Sequence, residues 1–160
     1  MLQNRYPMEA ESEAKAKRRD EKFDSKEDAD KALYRNKDGC FVPSIWIEAV
    51  LRDTAKEFKG EGRSSLKGTI LASVFVEPDE IPLGKQIYDD IDRRRVVIQR
   101  NTIVRSRPRF NKWEIEFTIS FDETRVKKEV LRDIVEEVGK SKGIGDYRPK
   151  FGRFEIVSFE

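Results

Sequence analysis

Two segments of the chain repeat apolar residues at the three-and-four spacing that places side chains on one face of an α-helix. The first predicted helix begins at Ser44, after Pro43, and ends at Gly60. Its apolar face consists of Ile47, Val50, Leu51, Thr54 and Phe58. The second is capped by Asp122 or Thr124 and ends at Gly139. Its apolar stripe consists of Val126, Val130, Ile134, Val135 and Val138.

Other segments alternate or concentrate β-branched and aromatic residues, which is typical of strands. The clearest predicted strand is 113–122, in which five apolar residues alternate with polar ones. These five are Trp113, Ile115, Phe117, Ile119 and Phe121. Further strands are predicted at 40–42, 69–76 and 154–159, and the stretch 93–112 also has strand character.

The order of these elements predicts an α+β fold of the ferredoxin-like or RRM-like kind, an antiparallel sheet with two helices on one face. The βαββαβ order is complete if one strand precedes the first helix. We expect that strand to lie before Met1, or to be supplied atypically by 40–42. The predicted folded domain is 39–160, and 1–38 is predicted to be a charged, partly flexible arm.

The arm is defined by its density of charge. Residues 9–31 contain sixteen charged side chains of both signs and few apolar ones. A nucleic-acid grip by the cluster 15–19 is one interpretation, but a solvated charge run with helical tendency is favoured.

Composition restricts the chemistry. The 160 residues carry 33 cations against 31 acids and no histidine, which removes the commonest general base and metal ligand. The single cysteine, Cys40, cannot form an internal disulfide. No membrane span or signal peptide is recognisable, so we expect a cytoplasmic protein without a membrane partner. We also expect no cofactor and no bound metal.

Charge is distributed unevenly, however. Residues 93–112 contain eight cations and no acid, a pattern that favours binding to a polyanion over an ordinary solvated surface. The candidate phosphate-binding residues are Arg93, Arg94, Arg95, Arg100, Arg105, Arg107, Arg109 and Lys112.

A glycine-rich segment, 143–154, follows the second helix and combines three glycines with cations and aromatic rings. Such a loop is suited to holding phosphates against main-chain N–H groups and to stacking bases on its rings. An ordinary helix-to-strand connection is the alternative. The candidate binding residues are Gly143, Gly145, Tyr147, Arg148, Lys150, Phe151, Gly152 and Arg153.

The segment 77–92 is rich in acids and prolines. A divalent cation is conceivable there because hard metals bind several oxygens, but no calcium-loop spacing is present and a solvated acidic loop is favoured. A metal-dependent nuclease using Asp89, Asp90 and Asp92 is therefore a weaker hypothesis.

Two segments resemble the RAMP superfamily, which includes the guide-RNA-binding backbone subunits of CRISPR effector complexes. They are Val42-Pro43-Ser44-Ile45-Trp46 at the start of helix one, and the glycine loop 143–154. The loop is also similar to the C-terminal Gly-Asp-Tyr-Arg-Pro loop of short, uncharacterised phage-encoded proteins, a similarity that extends over most of the chain. The resemblance implies RNA held on sheet and loops by side-by-side copies, with Gly143, Gly145, Arg148, Gly152 and Arg153 facing phosphate.

This sequence departs from the superfamily at Glu114 and Glu116, which occupy a face where RNA favours cations or aromatics. The lack of histidine also argues against RNA cleavage. The leading hypothesis is a non-catalytic, single-stranded nucleic-acid binding protein, with RNA favoured over DNA, that oligomerises on its ligand or joins a ribonucleoprotein. The alternative is a protein-interaction or self-assembling phage accessory protein, such as an inhibitor of a host system, that binds no nucleic acid.

Overall fold

The computed structural model describes residues 25–60, 64–98 and 100–160. Its helices are α1 Ser25–Lys31, α2 Ser44–Thr54, α3 Lys67–Ser73 and α4 Lys128–Glu137, and a π-helical turn, Val138–Lys142, extends α4. Its strands are β1 Phe41–Pro43, β2 Val74–Glu77, β3 Glu80–Pro82, β4 Asp90–Ile98, β5 Asn101–Arg109 and β6 Thr118–Phe121. No helix in these ranges is long and apolar enough to cross a bilayer.

The chain divides into two compact units. The hairpin unit contains α1 and the β4–β5 hairpin, and the core unit contains Tyr34–Asp89 and Phe110–Glu160. Residues 1–24 of the predicted arm lie outside the described residues, whereas 25–31 form α1 and are grouped with the hairpin.

In the hairpin unit, β4 and β5 pair antiparallel over their whole length, from Asp90 opposite Arg109 to Ile98 opposite Asn101. Helix α1 packs on β5. Ala29 is fully buried, and the Asp28 carboxylate accepts a hydrogen bond from the Ser106 N–H at 2.6 Å. Because β5 pairs with β4 alone within the described residues, this carboxylate satisfies a main-chain donor on the other edge of β5.

Removing that carboxylate should therefore loosen α1. We expect Asp28→Ala to lower the free energy of unfolding by about 1–3 kcal/mol, because the Ser106 N–H, in a fully buried residue, loses its acceptor. Amide hydrogen exchange at Ser106 would report the loss as faster exchange. Asp28→Asn, which keeps an acceptor oxygen, should retain most of the protection; equal exchange in both variants would contradict the assignment.

In the core unit, two short antiparallel pairs carry the helices. Strand β1 pairs with β3, and β2 pairs with β6. Helix α2 begins directly after Pro43, whose φ of −64° is compatible with a helix start. The helices and strands bury an apolar core that includes Val50, Leu51, Ile70, Ile81, Leu131 and Ile134.

The predicted α+β class is confirmed, since helices combine with small antiparallel sheets. Within the described ranges the strands form three two-stranded sheets. The finer ferredoxin-like arrangement stays a prediction.

Several predicted elements have different limits. Residues 69–73, predicted to be part of a strand, lie in α3, because helical geometry buries Ile70 beside Leu66. Helix α2 ends at Thr54 rather than near Gly60, and α4 begins at Lys128. Asp122 caps no helix; its carboxylate accepts hydrogen bonds from the N–H and hydroxyl of Thr124.

Two predicted strands lack ladder partners over part or all of their length within the described residues. In 113–122 only Thr118–Phe121 is paired, although burial alternates along 113–121 as the sequence predicts. The predicted closing strand 154–159 belongs to no sheet within the described residues.

Candidate nucleic-acid interface

The hairpin Asp90–Arg109 concentrates positive charge, because it contains seven arginines and two aspartates, a net charge of +5. Residues directly opposite each other in an antiparallel pair lie on the same face. The register places Arg94 opposite Arg105, Asp92 opposite Arg107, and Asp90 opposite Arg109. We call this the mixed face of the hairpin, since it combines four arginines with two aspartates.

The other face carries Arg93 and Arg95, and we call it the arginine–valine face. Both arginines are exposed, and Arg95 lies opposite Val104. Val104 is 36% exposed and Val97 is 71% exposed. Arg93 and Arg95 are spaced about 6.6 Å along one rigid strand. This face therefore presents guanidinium groups next to uncovered aliphatic surface.

The stretch 93–112 contains no acid, but the fold pairs one of its arginines with an acid that precedes it. Asp92, just before the stretch, lies within 2.5 Å of the Arg94 Nε and forms an ion pair with it. Arg95 and Arg100, both exposed, have no ion pair within the described chain. Arg105 has none there either, and it is half-buried. The eight predicted cations therefore differ in exposure and in pairing, and Asp92 compensates part of the charge on the mixed face.

The structure also separates the eight predicted cations by unit. Arg100 lies in the turn between the strands, with a φ of +67°. Lys112 belongs to the core unit, where it is exposed. The hairpin thus brings together the seven arginines of the predicted set.

Two of the three loop glycines have a local structural role. A Cβ on Gly152 would lie 1.8 Å from the Ile144 carbonyl oxygen, and one on Gly143 would lie 2.8 Å from Gly152. The Ile144 N–H donates to the Gly152 carbonyl at 2.9 Å, which closes the loop on itself. Both glycines have positive φ, 70° and 77°. Loop closure thus accounts for both glycines without a ligand.

The side chains of the glycine loop differ in their exposure to solvent and in their bonds within the chain. Tyr147 is 47% exposed, and its ring lies 5.9 Å from that of Phe151. Arg153 donates to the Pro149 carbonyl of its own loop at 3.0 Å. Arg148 and Lys150 are exposed and have no ion pair within the described residues. The loop therefore offers one aromatic pair and two available cations.

Sequence reasoning missed an aromatic residue beside this loop and a second one that packs on it. Trp46 lies close enough to Gly145 that a Cβ there would contact the indole at 3.7 Å. The Trp46 ring packs edge-on against Tyr34 at 5.1 Å. The available signal was the position of Trp46 within the helix start 42–46, which the fold places beside Gly145.

Two acids of segment 77–92 are bonded to cationic side chains. Lys85 and the Asn111 N–H, both bonded to the Asp89 carboxylate, lower the pKa of Asp89. Asp92 pairs with Arg94. A search of the described residues finds no group of three or more histidine, cysteine or acidic side chains positioned to hold a metal.

Among the other groups of the core unit whose pKa is shifted are a thiol and an ammonium group. Burial raises the pKa of Cys40, which favours the neutral thiol. A hydrogen bond to Glu57 raises the pKa of Lys142. That bond holds Lys142, just before the glycine loop, in a local ion pair.

No protein-family model matches the chain, and comparison with curated proteins and with solved structures finds no significant match. The RAMP relationship therefore stays a prediction that rests on the quoted residues.

Proposed function

We propose that this protein is a non-catalytic, single-stranded nucleic-acid binding protein of the cytoplasm. The observation that carries the proposal is the β4–β5 hairpin, with its net charge of +5 on a paired, rigid element. Cations fixed on such an element release counterions when phosphates replace them, which drives binding.

The register of the β4–β5 hairpin provides a second argument for anion binding. Arg94 and Arg105 lie directly opposite each other, and like charges in that position destabilise a hairpin. Asp92 offsets part of this repulsion through its ion pair with Arg94. A bound phosphate would offset the remainder, so anion binding also stabilises the hairpin.

The glycine loop supports a single-stranded ligand. Tyr147 presents nearly half of its surface, and rings in this state stack on unpaired bases of any sequence. Arg148 and Lys150, on the same loop, supply charge for adjacent phosphates. RNA is favoured over DNA because of the resemblance to RAMP proteins. The same resemblance is the basis for proposing several copies along one strand, or membership of a ribonucleoprotein.

The non-catalytic part of the proposal is supported by the types of side chain that the chain contains. The chain has no histidine for general base catalysis. Asp89 and Asp92, two of the acids considered for a nuclease, are bonded to Lys85 and Arg94. Binding is thus the activity that these residues support.

The test is the salt dependence of binding to a fluorescent 20-nucleotide RNA without secondary structure. We expect the logarithm of the association constant to fall linearly with the logarithm of salt concentration, with a slope of about −2 to −4 for three to five phosphate contacts. The same-sequence DNA and an RNA duplex should bind more weakly. An affinity that does not change between about 50 and 200 mM salt would refute the electrostatic basis of the proposal.

The second candidate, a protein-interaction or self-assembling role, is favoured by a different observation. The mixed face carries both signs of charge, and Val97 and Val104 on the other face are uncovered. A surface with both signs can pair with a second copy of itself. Concentration-dependent association of nucleic-acid-free protein in sedimentation velocity, together with no RNA binding, would support this alternative.

A further inference from the structure

Two segments of the core unit have the side-chain pattern of strands but no ladder. They are 113–117, which leads into β6, and 155–159. Within the described residues their main-chain N–H and C=O groups make no hydrogen bond. Unpaired groups of this kind are a template for another strand. We call the two segments together the open-strand surface.

The side chains next to these unpaired groups are incompletely covered. Trp113, Ile115, Phe117 and Ile156 are each half-buried rather than buried. The ring of Trp113 lies 6.2 Å from that of Phe154, the residue before the second segment, so one end of each segment is close to the other. The apolar side of the surface thus lacks part of the cover that a complete sheet gives its inner face.

The acidic residues next to these apolar side chains define the charge of the occupant. Glu114, Glu116 and Glu155 are exposed, and none of them has an ion pair within the described residues. Opposite charges in cross-strand positions stabilise strand pairing, and like charges oppose it. An added strand with Lys or Arg next to these glutamates would therefore be favoured.

We propose that the open-strand surface binds an extended peptide segment of a partner protein as an added β-strand. The segment alternates apolar residues, which cover the Trp113 side, with Lys or Arg, which meet the three glutamates. Main-chain hydrogen bonds supply affinity in this mode, and the alternate side chains supply selectivity. The proposal does not depend on the proposed nucleic-acid binding, because it uses neither the hairpin nor any candidate nucleic-acid binding residue of the glycine loop.

The test uses three synthetic nonapeptides and the full chain. One alternates Val or Ile with Lys, the second alternates the same apolar residues with Glu, and the third has the composition of the first with its apolar residues consecutive. The chain has two tryptophans, so a Trp46→Phe variant leaves Trp113 as the reporter. We expect the basic alternating peptide to shift the Trp113 emission to shorter wavelength in a saturable manner.

The acidic peptide should bind at least 10-fold more weakly, and the consecutive peptide should not saturate. The double variant Glu114→Gln/Glu116→Gln should bring the affinities of the two alternating peptides closer together. In the unmodified chain, the basic peptide should slow amide hydrogen exchange across 113–117, which separates strand addition from loose charge attraction.

Equal binding of the acidic and basic peptides, or binding without slower exchange at 113–117, would overturn the proposal. So would self-association of the peptide-free protein that protects the same amides, because a second copy would then be the occupant. Ile115→Pro removes an N–H that has no acceptor within the described chain, and it should abolish peptide binding. If that variant fails to fold, the exchange measurement on the unmodified chain still decides.

Discussion

Replacing Arg93, Arg95, Arg100 and Arg109 together by glutamine is expected to weaken binding to single-stranded RNA about 100-fold at about 0.1 M salt. These four are the exposed arginines of the hairpin, on both faces and in the turn. Each lost phosphate contact should reduce the steepness of the salt dependence by about 0.7, so the measured slope should become nearly flat. Fluorescence anisotropy across a salt series measures both quantities.

Two matched variants separate charge at the hairpin from charge in general. Arg→Lys at the same four positions keeps the charge and should retain the slope. Glutamine at four cations of the core unit, Lys56, Arg125, Arg132 and Lys140, changes net charge by the same amount. Each of these is an exposed partner in an ion pair, so their replacement should change affinity less than about 3-fold. Equal losses in the two glutamine sets would show that the hairpin is not the binding element.

The second large effect concerns the glycine loop. Gly152→Ala is expected to lower the free energy of unfolding by about 3 kcal/mol, measured by denaturant unfolding. Its φ of +77° is unfavourable for alanine, and the added Cβ would lie 1.8 Å from the Ile144 carbonyl oxygen. The loop must open to accept the methyl group, which breaks the Ile144–Gly152 main-chain hydrogen bond.

Two other glycines make the comparison quantitative. Gly84 also has positive φ, +65°, but no atom lies within 4 Å of its added Cβ, so Gly84→Ala should cost about 1 kcal/mol of conformational strain alone. Gly68 lies in α3 with open space around it, and Gly68→Ala should stabilise by up to about 1 kcal/mol. If Gly152→Ala were no more destabilising than Gly84→Ala, the close approach to Ile144 would not be structurally important.

The loop shows how a motif can be recognised while the reason for its residues is missed. The sequence indicates glycines with unusual conformations, and the positive φ values at Gly143, Gly145 and Gly152 agree with that. It does not indicate which main chain comes close to them. Here the close neighbour is the other side of the same loop, so contact with phosphate remains part of the proposal rather than the explanation for Gly143 and Gly152.

The hairpin shows the same limit of sequence reasoning for charged residues. A list of cations between 93 and 112 predicts a basic element, and the hairpin is one. The list gives every arginine equal weight, because it contains no register. Pairing places Asp92 opposite Arg107 and leaves Arg95 opposite Val104, so compensation and exposure differ from one arginine to the next.

Local pattern was sufficient to predict that α2 and α4 exist, though not where they end, and to predict the alternation of 113–121. Helical and strand periodicity are properties of neighbouring residues along the chain. Local pattern also predicted the α+β class. Tertiary structure decided which alternating segments acquire a ladder, since a strand is completed by hydrogen bonds to a partner that its own residues do not specify. That is why Thr118–Phe121 is paired with β2, whereas 113–117, with the same alternation, is not.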